Sequence, residues 1–114
     1  MYKIVNIKEG FPDSQYATFL LEREIDYAKK EGVKVLVFVH GYGSHGVGGV
    51  IKQKVKSKLN ELKKKSVIEC YILGENWSDL SEDVQKIYKY APELSVSSQL
   101  IGINSGVSVV LVEK

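Results

Sequence analysis

An α/β layer fold is what this 114-residue sequence predicts. Four short runs rich in β-branched and aromatic residues alternate with three segments whose apolar residues recur at helical spacing, giving the order β-α-β-α-β-α-β. No shift in composition marks a linker and no segment repeats, so residues 1–114 read as one domain, long enough to bury its own core. Helices of two turns or more between successive strands imply a sheet covered by helices and joined by right-handed crossovers.

Taken in order, "MYKIVNI" alternates apolar and polar residues in part, as a short strand does, and Gly10 and Pro12 break it. From Ser14 to Lys30, residues Ala17, Leu20, Leu21, Ile25 and Ala28 form one face of an amphipathic helix. Asp13 or Ser14 can cap its start, Lys29 and Lys30 suit its negative end, and Gly32 is placed to stop it. "VKVLVFV" has no polar alternation after Lys34 and therefore reads as a strand buried on both faces. Val50, Ile51, Val55, Leu59 and Leu62 give a second helix, and "SVIECYIL" a third strand that Gly74 ends. Leu80, Val84, Ile87, Tyr88 and Ala91 give a third helix over 79–91, terminated by Pro92. After a polar, serine-rich loop, "GVSVVLV" is the last strand.

The composition, 44% hydrophobic and 26% charged, is that of an ordinary globular chain. Its apolar runs are far shorter than the roughly 20 residues of a membrane span and no signal-peptide pattern precedes them, so a cytoplasmic protein without membrane contact is expected. Cys70 is the one cysteine; no internal disulfide can form, and inside a strand-like run it reads as a buried structural thiol. The formal net charge of +2 says little, but its distribution is uneven. Seven lysines against the single acid Glu61 fill 52–65, whereas five acids face two lysines over 75–93.

Between the second strand and the second helix lies "VFVHGYGSHGVGGVIK". Gly41, Gly43 and Gly46 spell G-x-G-x-x-G in the strand-to-helix context of a dinucleotide-binding fingerprint. That fingerprint also needs an acid at the end of the next strand to hold a ribose hydroxyl, and Glu69 falls mid-strand while Glu75 comes late. Gly48 and Gly49 would delay the helix start, and the chain has no room for a second nucleotide half. A P-loop fails for want of G-K-[ST], and an α/β-hydrolase for want of a G-x-S-x-G elbow. The general property remains: bare backbone leading into a helix N-terminus suits an anion such as phosphate, while the plainer reading is a tight connection in which glycine supplies positive φ.

On the second helix, Lys52, Lys56 and Lys63 flank the apolar stripe on one side and Lys54, Lys58 and Lys65 on the other. Such a face can be merely solvated; beside an anion-suited loop, the same lysines would follow a phosphate backbone. His40 stands at the C-terminal edge of a buried strand, where ligands of open α/β sheets gather, and can serve as general acid or base, phosphate donor or structural residue. His45 sits among glycines as a solvent- or ligand-facing residue. The two histidines have no fixed carboxylate pattern and make no metal motif.

"VLVFVHGYGSHGVGGVIKQKVKSKL" resembles the core signature of the small MutS-related (Smr) domain, in which a strand ends in H-G-x-G before Ser or Thr, Gly and a basic helix. "INSGVSVVLV" resembles the family's final strand, so the likeness spans essentially the whole chain. It implies a compact β-α-β-α-β core with a mixed sheet, similar to the C-terminal domain of translation initiation factor three, and DNA or RNA binding, with nicking endonuclease activity in several members. By this resemblance His40, Gly41 and Gly43 carry over as the loop motif, with Ser44 and Gly46 beside them, and Lys52 stands near a basic position. Two departures stand out. Many Smr domains carry D-x-H-G after the first strand, and the acid and histidine have been linked to cleavage; here Asn6 and Lys8 take their places. Asn cannot be a carboxylate base and a lysine of ordinary pKa is a poor proton acceptor at neutral pH, although Lys8 can bind phosphate. The second is a lengthened segment, 74–102, that adds a helix before the last strand; its Trp77, Tyr88 and Tyr90 can stack on bases or pack that helix.

The sequence therefore leads to a nucleic-acid-binding Smr-like domain, RNA or structured nucleic acid favoured. Lys8, Gly41, Tyr42, Gly43, Ser44, His45, Gly46, Lys52, Lys56 and Lys63 would contact the backbone and His40 would orient or cleave it. No cofactor is called for. The alternatives are a weak nicking endonuclease, which would add a divalent metal and a carboxylate of which Glu9 is the nearest, and a ribosome- or protein-interaction module that kept only the fold.

Overall fold

The computed structural model describes residues 2–7, 14–41, 47–96 and 106–113; the side chains of Ser14 and of 47–50 lie outside that description. Its elements are β1 (Tyr2–Asn6), α1 (Ser14–Glu31), β2 (Val35–Val39), α2 (Val47–Lys64), β3 (Cys70–Leu73), α3 (Glu82–Tyr90) and β4 (Val107–Leu111), with short 3₁₀ turns at Gly74–Asn76 and Pro92–Val96. The sheet order is β1-β2-β4-β3. β1 and β2 are parallel, and β4 lies antiparallel between β2 and β3. The mixed sheet is thus present, and the ends of β1, β2 and β3 share one edge with the start of β4.

Helices cover both faces. Ala17, Leu21, Ile25 and Ala28 of α1 and Ile51, Val55, Leu59 and Leu62 of α2 pack with Leu36, Phe38 and Val110. On the other face Ile87 and Ala91 of the α3 region and Leu94 meet Val35, Val37, Val107, Val109 and Leu111. Val35 to Phe38 are wholly inaccessible, as the unbroken apolar run requires of a strand buried on both sides. Cys70 is buried, and burial above all pushes its thiol up to about 11, so it is an inert core residue.

Both long helices end in the same way. Val33 N–H donates to Ala28 O (2.9 Å) across Gly32 at φ +77°, and Val67 N–H donates to Leu62 O (2.9 Å) across Ser66 at φ 61°. These six-to-one bonds cap otherwise orphaned carbonyls, and the second takes residues 66–69 out of the predicted third strand, which begins only at Cys70. The third helix also starts later than the apolar spacing suggests. Ser81 caps it by accepting from Val84 N–H (3.4 Å), which leaves Leu80 before the helix and 95% exposed rather than in the core. α2 begins earlier than predicted: Gly48 and Gly49 belong to its first turn instead of delaying it. In a first turn the N–H groups need no intrahelical partner, so flexible residues cost less there than in the middle.

Candidate functional site

His40 follows β2 at the shared edge, where its N–H and that of Gly41 both donate to Gly106 O (2.9 and 3.0 Å). Gly41 takes φ +84°, a left-handed conformation that glycine adopts without strain. The His40 ring has no exposed surface. Its Nδ1 lies 3.1 Å from Gly41 O and its Nε2 2.9 Å from Ser108 Oγ. A carbonyl can only accept, so Nδ1 carries the hydrogen and Nε2 accepts from the Ser108 hydroxyl. Burial above all, and the nearby Lys52 ammonium, lower the His40 pKa against the opposing pull of the Gly41 carbonyl and Glu75. The imidazole is therefore neutral at physiological pH, and it fastens the first residue of the glycine-rich connection to β4.

Above this pair, α2 brings Lys52 to Glu75, which follows β3; the two form a 2.6 Å ion pair. Burial opposes ionisation of Glu75, but the Lys52 hydrogen bond and positive charge outweigh it and hold the carboxyl below its ordinary range. Sequence reasoning weighed Glu75 only as an acid for a ribose hydroxyl and passed over Ser108. Glu75 could have been found as an acid directly after a strand that ends at the same sheet edge as His40. Ser108 is the one polar residue within "GVSVVLV", and a buried hydroxyl in an apolar strand must find a partner.

The remaining expected residues divide. Lys8, Tyr42, Gly43, Ser44, His45 and Gly46 lie outside the described residues, as does Glu9. Asn6 pairs in register with Val39. Since Val5 and Ile7 pack on the α1/α2 side, strand alternation sends the Asn6 side chain to the opposite face from the His40 ring. Lys56 and Lys63 are exposed on α2 and have no ion pair among the described residues, whereas Lys52 is engaged by Glu75. On the flank facing α1, Lys58 pairs with Glu22 (3.1 Å) and Glu61 (3.0 Å), and Lys65 with Glu61 (3.9 Å). The two lysine flanks, equal in sequence, are thus unequal in charge.

Trp77 and Tyr88 pack together at α3. Their rings meet edge to face at 5.8 Å, Trp77 Nε1–H donates to Tyr88 Oη (3.3 Å), and Tyr88 Oη–H donates to Asp79 Oδ1 (2.6 Å). Tyr90 packs against the same apolar cluster. Among the described residues no three His, Cys, Asp or Glu side chains group as a metal site, and no helix is long and apolar enough to cross a membrane.

No family model and no curated protein matches the chain. Among solved structures it is similar to the Smr domain of Thermus thermophilus MutS2, with a TM-score of 0.58 and 17% sequence identity, over 98% of this chain and 99% of that one. The chain thus has an Smr-like fold.

Proposed function

We propose, on the premise of that Smr-like fold, that the protein binds nucleic acid through its phosphate backbone, at the sheet edge where the glycine-rich connection enters α2. The observation that carries this reading is the asymmetry of α2. On the flank facing α1, Glu22 and Glu61 engage Lys58 and Lys65 and leave Lys54 alone without an ion pair, while on the other flank Glu75 engages Lys52 and both Lys56 and Lys63 meet no acid among the described residues. Cations kept clear of acids, Lys56 in the middle of α2 and Lys63 in its last turn, carry positive charge along the helix away from its start. The first N–H groups of that start have no intrahelical partner, and the two features together favour a polyanion. Tyr42 to Gly46 and Lys8 lie next to this edge in sequence and extend the contact. Phosphate contacts carry no base information, so RNA or structured nucleic acid is a better ligand than a defined DNA sequence, and the setting is the cytoplasm.

In this reading His40 positions and does not cleave. Its ring is fully buried and both nitrogens are committed to Gly41 and Ser108, so it keeps the loop's first residue in place. Affinity for single- and double-stranded RNA and DNA should fall steeply with salt. Lys56→Glu with Lys63→Glu should weaken all of them alike and lower the slope of log K against log salt by about 0.7–0.9 for each lysine. Absence of binding at low salt sinks the proposal; nicking of supercoiled DNA that disappears in His40→Ala would make the histidine catalytic instead.

A further inference from the structure

Three of the most exposed large apolar residues lie in a line on α1: Tyr16 (50% exposed), Phe19 (57%) and Tyr27 (44%). They follow the helical repeat, with Arg23 between Phe19 and Tyr27 one turn from each. The side chains are already ordered against one another. The Tyr16 and Phe19 rings stack at 6.3 Å with planes 22° apart, and the Arg23 guanidinium lies 5.9 Å from the centroids of both Phe19 and Tyr27. Aromatic rings that leave about half their surface to water keep apolar area unburied, and three in one stripe with a cation set over two of the rings form a pre-arranged surface.

Its place in the fold and the charges around it narrow what it fits. α1 follows β1 as α2 follows β2, and these strands are parallel, so the Tyr16 end of the stripe lies at the same sheet edge as His40 and the start of α2. The acids near the stripe are countered: Glu22 by Lys58, Glu24 by Lys3 and Arg23, and Asp26 by Lys30. Beside it, a cleft of about 300 Å³ between α1 and α2 is lined by Gln15, Thr18, Lys54, Ser57, Lys58 and Glu61. Lys54 has no ion pair among the described residues and is available to a phosphate there. A neutral aromatic surface next to a lysine-bearing cleft matches a strand whose bases are unpaired: bases on the rings, backbone toward α2.

We infer that the Tyr16–Phe19–Arg23–Tyr27 stripe of α1 is a base-stacking platform for single-stranded nucleic acid, with Lys54 in the adjoining cleft taking the backbone. This rests on the nucleic-acid reading above and adds a surface and a preference for unpaired strands. From Tyr16 to Tyr27 the helix rises ~16 Å, which spans about five nucleotides at the 3.4 Å spacing of a stacked strand. Every base has a π-face, so the platform selects for unpaired bases and not for a sequence.

The test compares an oligothymidylate of about a dozen residues with an abasic oligomer of the same length, which keeps the phosphates and lacks the bases. The wild-type protein should bind the base-bearing strand more tightly. Phe19→Ala and Tyr27→Ala should each weaken that binding on the order of tenfold and leave the abasic affinity unchanged. Phe19→Leu, which keeps an apolar side chain without a ring, should behave like Phe19→Ala. Both positions are exposed, so the urea midpoint of each variant should match wild type, which separates a lost platform from a lost fold. Equal wild-type affinity for the two oligomers, or unchanged affinity in the variants, overturns the platform while leaving the phosphate-binding proposal standing. Failure of wild type to bind either oligomer overturns both. A concentration-dependent dimer that Phe19→Ala abolishes would give the stripe to a second copy of the chain and overturn the inference.

Discussion

On the α3 side of the sheet, Val35, Val37, Val107, Val109 and Leu111 pack with Cys70, Ile87 and Leu94, whereas on the α1/α2 side the same strand pair also carries His40 and Ser108. Along β2 and β4 the first face is apolar to the edge. The second admits two polar side chains, and both are satisfied; among the described residues no buried side-chain nitrogen or oxygen lacks a partner. The difference lies in what covers each face. α3 ends its coverage with apolar side chains, while α2 starts at the sheet edge and puts Lys52, paired with Glu75, above the His40 ring. A buried imidazole is tolerable where two hydrogen bonds replace water, and here they join the start of the glycine-rich connection to β4.

The largest effects should come from emptying the two cores. Phe38→Ala on the α1/α2 face should cost about 3–5 kcal/mol and Leu111→Ala on the α3 face about 2–5 kcal/mol, measured by urea unfolding. A Leu111→Ala cost under about 1 kcal/mol would break the comparison, because the α3 face would then be a loose cover and not a second core.

Removing one partner of the polar pair should matter next. Ser108→Ala leaves the Nε2 lone pair of His40 buried and unbonded, at a cost of about 1–3 kcal/mol. The double variant His40→Leu with Ser108→Val removes both polar groups and should cost less than the two single changes added together. Strict additivity in that cycle would mean that the hydrogen bond contributes nothing to the fold.

The smallest expected effect is on pH dependence. Burial lowers the folded His40 pKa below 6.5, so the unfolded chain takes up the proton first. Stability should be full above pH 6.5 and fall as the pH is lowered from there toward the folded value. Glu75 acts in a lower window: its folded pKa is depressed, so its contribution is present above 4.5 and lost as pH falls through the folded value. Unfolding curves between pH 7 and 5 should therefore lose this slope in the His40→Leu, Ser108→Val double variant, and a slope that persists there belongs to another group.

Much of the fold was legible because its signals are local. The helix face Ala17, Leu21, Ile25, Ala28 and the stripe Ile51, Val55, Leu59, Leu62 are buried as their spacing requires. Leu80 shows the limit of such spacing, because an apolar residue one position before a serine cap matches the helical repeat and still lies outside the helix. The site was half legible: His40 and the lysines stand out in the sequence, but their partners Ser108 and Glu75 lie 68 and 23 residues away from His40 and Lys52. Of the two readings of Trp77, Tyr88 and Tyr90, packing of the third helix is the one the structure shows. The exposed rings are instead Tyr16, Phe19 and Tyr27, which a helical pattern alone marks only as the residues opposite its apolar face.

By itself the sequence determined the order of the elements, the face each helix buries, and two lysine flanks on α2, since periods of 2 and 3.6 residues are properties of the local chain. The tertiary structure decided that β4 enters antiparallel between β2 and β3, bringing Ser108 and Gly106 to His40, and that α1 lies beside α2, setting Glu22 against Lys58. Strand order and helix neighbours depend on contacts between segments far apart in the chain, which no local repeat encodes. The same contacts engage Lys58 and Lys65 on one lysine flank of α2 and only Lys52 on the other.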